Sequence, residues 1–226
     1  VRRTQKTFGC DFEIVYGQTE ASPIVTQLRR TDALDDKMET AGQALPQTEI
    51  SIRDVTANAV MPIGVTGEIC VRGYGVMLGY NGNPEATAEA IDVEGWLHTG
   101  DLGTLDSRGY LRITGRVKDM IIRGGENLFP AEIENVLLEH PAIAEVSVVG
   151  VPDAHWGEIA VCFLRAAGGS SPQREELVAH VRKQLAAPKT PAHWIVVDSF
   201  PLTGSGKIQK FILRERYLAG EYPQRL

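Results

Sequence analysis

Up to about residue 117 the sequence runs in short β-like segments cut by glycine turns, and beyond it apolar strands alternate with amphipathic helices. This change of texture constrains the fold more than any other feature. Between about residues 40 and 117 the runs TEISIRD, GEICVRG, WLHTGD and YLRITG predict a small antiparallel barrel or sheet. Upstream, CDFEIVY (10–16) predicts a strand that ends in the polar loop GQTEASP. One helix interrupts the β region: Asn83 is suited to cap it, Pro84 to open it, and EATAEAI follows. Past residue 117, PAEIENVLLEH predicts a helix from Pro130 with Ile133, Val136 and Leu137 on one face, and Glu132 near its positive end. AEVSVVGV and IAVCFLRA predict strands. A second helix is expected with Ser171 as cap and Pro172 in its first position, burying Leu177, Val178, Val181 and Leu185, before the strand HWIVVDSF. The class expected is α+β, with domains at 1–117 and 118–226.

Composition narrows the functions. With 226 residues, 43% apolar and 23% charged, the chain can bury one or two real cores. A net charge of -6 supplies no basic footprint for a phosphate backbone, so no nucleic-acid partner is expected. Cys10, Cys70 and Cys162 are odd in number and lie far apart, which points to reduced thiols in a cytoplasmic protein, most simply as buried small hydrophobes. No apolar run approaches the roughly 20 residues of a transmembrane helix, and VRRTQKTFGC lacks the apolar centre of a signal peptide. The five histidines show no H-E-x-x-H spacing and none is grouped with cysteine, so no protein-bound transition metal is expected. TGSGKIQK lacks the first glycine and the final Ser or Thr of a phosphate loop.

Five segments remain: YGQTE (16–20), GEICVRGYGVMLGY (67–80), WLHTGD (96–101), GRVKDMIIRGGENLFPAEIE (115–134) and PLTGSGKIQK (201–210). Each alone is a plausible turn. Together and in this order they resemble the adenylate-forming superfamily of AMP-forming acyl-CoA synthetases, peptide-synthetase adenylation domains and beetle luciferases. The resemblance runs from about residue 9 to 213, and the fourth segment is its most specific part. It implies the C-terminal portion of a fatty-acid–CoA ligase-like protein. Residues 1–117 would be the end of a large N-terminal domain, a strand and loop plus a small β-barrel-like subdomain, and 118–226 a compact, mobile α+β C-terminal domain. The implied chemistry has two halves. A carboxylic acid and ATP give an acyl-adenylate and pyrophosphate with Mg2+ assistance, and the thiol of CoA then displaces AMP.

The resemblance also assigns residues. Lys207 takes the position of the lysine that assists adenylation, where a cation aimed at developing phosphate charge lowers the barrier. Asp101 matches the carboxylate that accepts the two ribose hydroxyls, a task suited to an acceptor-only group. Tyr16 and Gly17 belong to the adenine-binding strand end, with Tyr16 stacking on the base. Thr19 bonds the α-phosphate, Glu20 helps hold Mg2+, and Arg116 contacts the ribose and phosphate region. Lys118 takes the hinge position. Arg123, Gly124, Gly125 and Trp156 match positions along the CoA channel. The plainer readings are a core aromatic for Tyr16, turns for Gly-Asp and for Gly124-Gly125, a surface Gly-Lys pair for Lys207, and core packing for Trp156.

Two departures stand out. Where many CoA ligases carry an aromatic and a basic residue around Lys-x-Pro, this chain reads APKTP (187–191). The family's pyrophosphate-gripping loop and most of its acyl pocket would lie upstream, so the chain alone is expected to be incomplete and to need a separate N-terminal half. GGEN followed by Pro and AEIE favours a CoA ligase over a luciferase. The rivals are a peptide-synthetase adenylation domain, disfavoured because the chain ends at Leu226 without a carrier domain, and a non-catalytic truncated or split remnant.

Overall fold

The computed structural model describes residues 6–222 and Leu226. The first five residues of the segment read above for a signal peptide lie outside the described residues. The chain divides into two compact units, Val1–Val117 and Lys118–Leu226.

In the first unit, β1 (Val15–Tyr16), β2 (Thr26–Gln27) and β3 (Gln43–Ala44) form a small antiparallel sheet, with α1 (Leu34–Glu39) between the last two. The strand expected from Cys10 is therefore only two residues long. Just before it the Ile14 carbonyl accepts the Leu28 N–H, and Glu13 and Asp11 are held through their side chains by Gln27 and Arg30. A four-stranded sheet follows, ordered β4 (Thr48–Arg53), β5 (Gly67–Gly73), β6 (Leu97–Leu105) and β7 (Leu111–Arg116). Its outer strands do not pair with each other, so of the two expected forms the sheet is the one realised and no barrel closes. Alternation in β4 and β5 turns Ile52, Ile69 and Val71 to one face, where they pack with Tyr16, Val25, Leu97 and Leu111. The insert between β5 and β6 is α2 (Pro84–Ala90), capped as its sequence requires by Asn83, whose side chain accepts the Ala86 N–H at 3.0 Å.

In the second unit, β8 (Ile121–Arg123) and β9 (Glu126–Leu128) form a hairpin ahead of α3 (Pro130–Leu138). The sheet is dominated by the long antiparallel pair β10 (Ile143–Asp153) and β11 (Gly157–Ala166); β10 lies at its edge, and β11 also pairs with β8 and, in parallel, with β12 (His193–Val196). β11 is an almost unbroken apolar run because both its faces are covered. Ala160, Cys162 and Leu164 face the cluster that contains Ile133, Leu137, Leu177 and Val181; Val161 and Phe163 face the one that contains Leu213. These helical residues come from α3, α4 (Arg174–Gln184) and α5 (Lys210–Leu218).

The helix expected to be capped by Ser171 begins two residues later than expected. Gln173 stands at its N-cap in extended conformation without a side-chain cap, and its carbonyl accepts the Leu177 N–H. Pro172 is buried, which ties this stretch to the core before the helical hydrogen bonds begin. Among the described residues no helix is long and apolar enough to cross a membrane.

Candidate functional site

The first-unit site is built at the end of β1. Tyr16 accepts the Val25 N–H through its carbonyl, and a single 3-10 turn, Thr19–Ala21, reverses the chain. The reversal passes so close beneath residue 23 that a Cβ on Gly17 would lie 1.7 Å from the Pro23 carbonyl oxygen. Glycine is required at 17 by close backbone approach. The GYGVMLGY segment cradles this turn: Met77 N–H donates to the Glu20 carbonyl at 2.8 Å, and the Tyr80 hydroxyl donates to Glu20 Oε1 at 3.0 Å. Thr19 is exposed beside it.

Asp101 reaches the same region through a bulge in β6. Cys70 pairs with His98 and Glu68 with Leu102, so Ile69 alone faces Thr99, Gly100 and Asp101. Three contacts hold the bulge. Thr99 Oγ1 donates to the Ile69 carbonyl at 2.7 Å and accepts the Asp101 N–H at 3.1 Å, and Gly100, at φ +70°, donates its N–H to Glu68 Oε1 at 3.0 Å. The bulge aims the Asp101 carboxylate between two partners. Oδ2 accepts the Tyr16 hydroxyl at 3.0 Å, and Oδ1 lies 3.0 Å from Arg116 Nε. Burial pushes the Tyr16 phenol well above its ordinary pKa; a Thr99 hydrogen bond opposes this and the Asp101 charge adds to it. Tyr16 therefore stays a donor throughout the physiological range.

The structure thus brings Tyr16, Asp101 and Arg116 together and sets Gly17, Thr19 and Glu20 on the adjoining turn. Tyr16 is only 7% exposed and is part of the apolar cluster, so the core-aromatic reading holds. Its hydroxyl is directed at Asp101. Tyr80, Thr99 and Glu68 were not singled out from the sequence, although all three lie inside the matched segments. Their roles depend on cross-strand register, which those segments do not display.

In the second unit, Arg123 lies 4.3 Å above the Trp156 ring, and Gly124 donates its N–H to the Trp156 carbonyl at 2.7 Å. Gly124 and Gly125 both have positive φ, 59° and 85°, and form the β8–β9 turn. Trp156 is 42% exposed, which sets aside core packing. Lys207 closes a small hairpin that Thr203 organises: Thr203 N–H donates to the Lys207 carbonyl at 2.8 Å, and Thr203 Oγ1 accepts the Lys207 N–H at 3.0 Å. The Lys207 side chain is exposed and has no acidic partner within salt-bridge distance among the described residues. Glu134 anchors the helix that follows, accepting both Lys210 Nζ and the Val148 N–H through Oε1 at 2.7 Å. Within APKTP, Lys189 pairs with both carboxylate oxygens of Glu132, at 2.6 and 2.7 Å. Lys118 lies in a 3-10 turn, Val117–Asp119, at the sequence boundary between the units.

Comparison with known proteins identifies the family. A family model described as AMP-binding enzyme matches residues 1–81, and one described as AMP-binding enzyme C-terminal domain matches 132–207. YngI of Bacillus subtilis, which carries an acyl-CoA synthetase name, is 50% identical over 206 residues, covering 91% of this chain and 38% of its own length. The human mitochondrial medium-chain acyl-CoA ligase ACSF2 is 43% identical over 206 residues, covering 91% and 34%. The o-succinylbenzoate CoA synthetase MenE of Bacillus subtilis, solved with its acyl-adenylate intermediate, superposes with a TM-score of 0.82 at 35% identity, over 94% of this chain and 43% of that one. The chain therefore spans less than half the length of each of these three proteins. Two family models aligned in order, and a common fold at this identity, place the chain in the family of AMP-binding enzymes.

Proposed function

We propose that this chain serves ATP-dependent ligation of a fatty carboxylic acid to CoA by way of an acyl-adenylate. The observation that carries the proposal is the Asp101 carboxylate, held by Tyr16 and Arg116 beside the Thr19–Glu20 turn. An ionised carboxylate with each oxygen already oriented by one donor retains lone pairs for two ribose hydroxyls. Arg116 is half exposed and supplies positive charge next to the phosphate end, and the exposed Thr19 hydroxyl supplies a donor.

Glu20 has one oxygen committed to Tyr80, and its other oxygen is a hard donor suited to Mg2+, which keeps much of its water shell. When bound, that ion would neutralise phosphate charge. The carboxylate of the substrate attacks the α-phosphorus, pyrophosphate leaves, and Lys207 supplies the cation that stabilises the charge gathered there. In the second half the CoA thiolate attacks the acyl carbon and AMP leaves. Arg123, Trp156 and the Gly124-Gly125 turn offer a cation, an exposed aromatic face and a low backbone wall for the thiol substrate. Lys118 serves as the hinge between the two half-reactions. A fatty substrate is supported by the name of the human medium-chain ligase, and a cytoplasmic location by the three free cysteines.

The test is production of AMP and acyl-CoA from ATP, CoA and a panel of fatty acids. It compares the chain alone, the chain with a homologous N-terminal fragment, and the same pair carrying Lys207→Ala. Turnover that disappears with Lys207→Ala is expected. Turnover unchanged by Lys207→Ala, or no turnover from any folded sample, overturns the assignment.

A further inference from the structure

Cys70 and His98 face each other in the β5–β6 ladder, and Glu68, two residues before Cys70, shares their side of the sheet. No spacing in the sequence announces this group, because the antiparallel register assembles it. His98 Nδ1 lies 2.8 Å from Glu68 Oε2 and 3.6 Å from Cys70 Sγ. One donor atom from each residue lies within 4.8 Å of the others. The Cys70 residue is wholly buried, and the Glu68 and His98 side chains are 11% and 22% exposed. The group is therefore enclosed but open to solvent on the imidazole side.

Imidazole nitrogen, thiolate sulfur and carboxylate oxygen form the donor set of a zinc-class ion. Bonds of about 2.0–2.3 Å set the ligand atoms of a tetrahedral site roughly 3.3–3.7 Å apart. The nitrogen–sulfur pair already has that separation, and the nitrogen–oxygen pair needs to open by only about half an ångström. Two further observations point to a cation. Among the described residues Glu68 has no Lys or Arg within salt-bridge distance: its hydrogen bonds are to His98 and the Gly100 N–H, and the buried Arg53 that faces it across the β4–β5 ladder is paired instead with Asp92 at 3.6 Å and Glu94 at 3.4 Å. A nearly buried carboxylate without a permanent counter-cation is costly. Asp92 Oδ2 also stands 3.7 Å behind His98 Nε2, where a carboxylate favours the tautomer that leaves Nδ1 free to ligate.

We propose that Glu68, Cys70 and His98 form a binding site for a thiophilic divalent cation of the zinc class, with its fourth position taken by water. On binding, the Cys70 S–H bond breaks and its proton passes to solvent, while bonds form from the metal to Sγ, Nδ1 and a Glu68 oxygen. The ion staples β5 to β6 at the base of the bulge that carries Asp101. The site does not depend on the ligase reading, and neither does its test.

Cadmium titrated into the full chain gives a direct readout through its thiolate charge-transfer absorption. Saturation at one equivalent is expected. The band persists in Cys10→Ser, disappears in Cys70→Ser, and needs at least about tenfold more cadmium in His98→Gln. A wild-type chain with no band, or a band lost in Cys10→Ser and kept in Cys70→Ser, overturns the site. Should Cys70→Ser not fold, melting of the wild-type chain decides. An ion that binds only the folded state must raise Tm, so an unchanged Tm at saturating Zn2+ rejects the proposal.

Discussion

Arg116 and Asp101 face each other across the β6–β7 ladder, with Arg116 Nε 3.0 Å from Asp101 Oδ1, while the other oxygen of that carboxylate accepts the Tyr16 hydroxyl. The pair presents an oriented anion with a half-exposed cation beside it. Asp101→Asn keeps the shape and turns half of the acceptor into a donor, which cannot receive a ribose hydroxyl. AMP binding measured by calorimetry is expected to weaken about tenfold to a hundredfold, the equivalent of roughly 1.5–3 kcal/mol for hydrogen bonds to a charged group. Equal affinity in the variant removes Asp101 from the proposed nucleotide site.

Gly17→Ala inserts a carbon 1.7 Å from the Pro23 carbonyl oxygen, against backbone that cannot yield without opening the turn. We expect a loss on the order of 3 kcal/mol in the first unit, read as a lower urea midpoint. The neighbouring Thr19→Ala, at an exposed position, should leave that midpoint nearly unchanged.

Glu134 separates charge from acceptor. Glu134→Ala strands the N–H of Val148, a buried residue of β10, and frees Lys210, at an expected cost of about 1–3 kcal/mol. Glu134→Gln retains a carbonyl acceptor for Val148 and should cost markedly less. Equal unfolding midpoints for the two variants would show that the hydrogen bond to Val148 contributes nothing.

Burial first, then the Glu68 charge, pushes the Cys70 thiol up to about 12, and burial raises Cys162 as well. At pH 8 about one Cys70 in ten thousand is thiolate. In the native chain, iodoacetamide should modify only the exposed Cys10, and in denaturant all three cysteines. Mass spectrometry counts the adducts, and rapid native labelling of Cys70 would contradict this burial.

Asp153 accepts the N–H groups of Trp156 and His155, and these bonds hold its carboxyl below the ordinary value. A depressed carboxylate contributes stability above its unfolded pKa and loses it as pH falls through the folded one, so the window lies below about pH 4. Asp153→Asn should flatten the decline of stability in that window, and acid titration of unfolding midpoints measures it.

Local chemistry was legible wherever neighbours in sequence are neighbours in space. Asn83 caps α2 through a residue three positions on, and Ile133, Val136 and Leu137 of α3 are buried on one face as their spacing requires. The α+β class and the family followed from such stretches and from their order. Boundaries set by long-range packing were not legible: the strand from Cys10 shrank to two residues, and the helix after Ser171 started late.

By itself, the sequence determined the type of most elements, because backbone propensity, capping and apolar period act over a few residues; the helices α1 and α5 were not among those expected. Only the tertiary structure decided which side chains meet. Tyr16 and Asp101 are 85 positions apart, and Cys70 and His98 are 28 apart. Their partnership depends on strand register and on a bulge held by Thr99 and Glu68, which follow from the packing of the whole sheet.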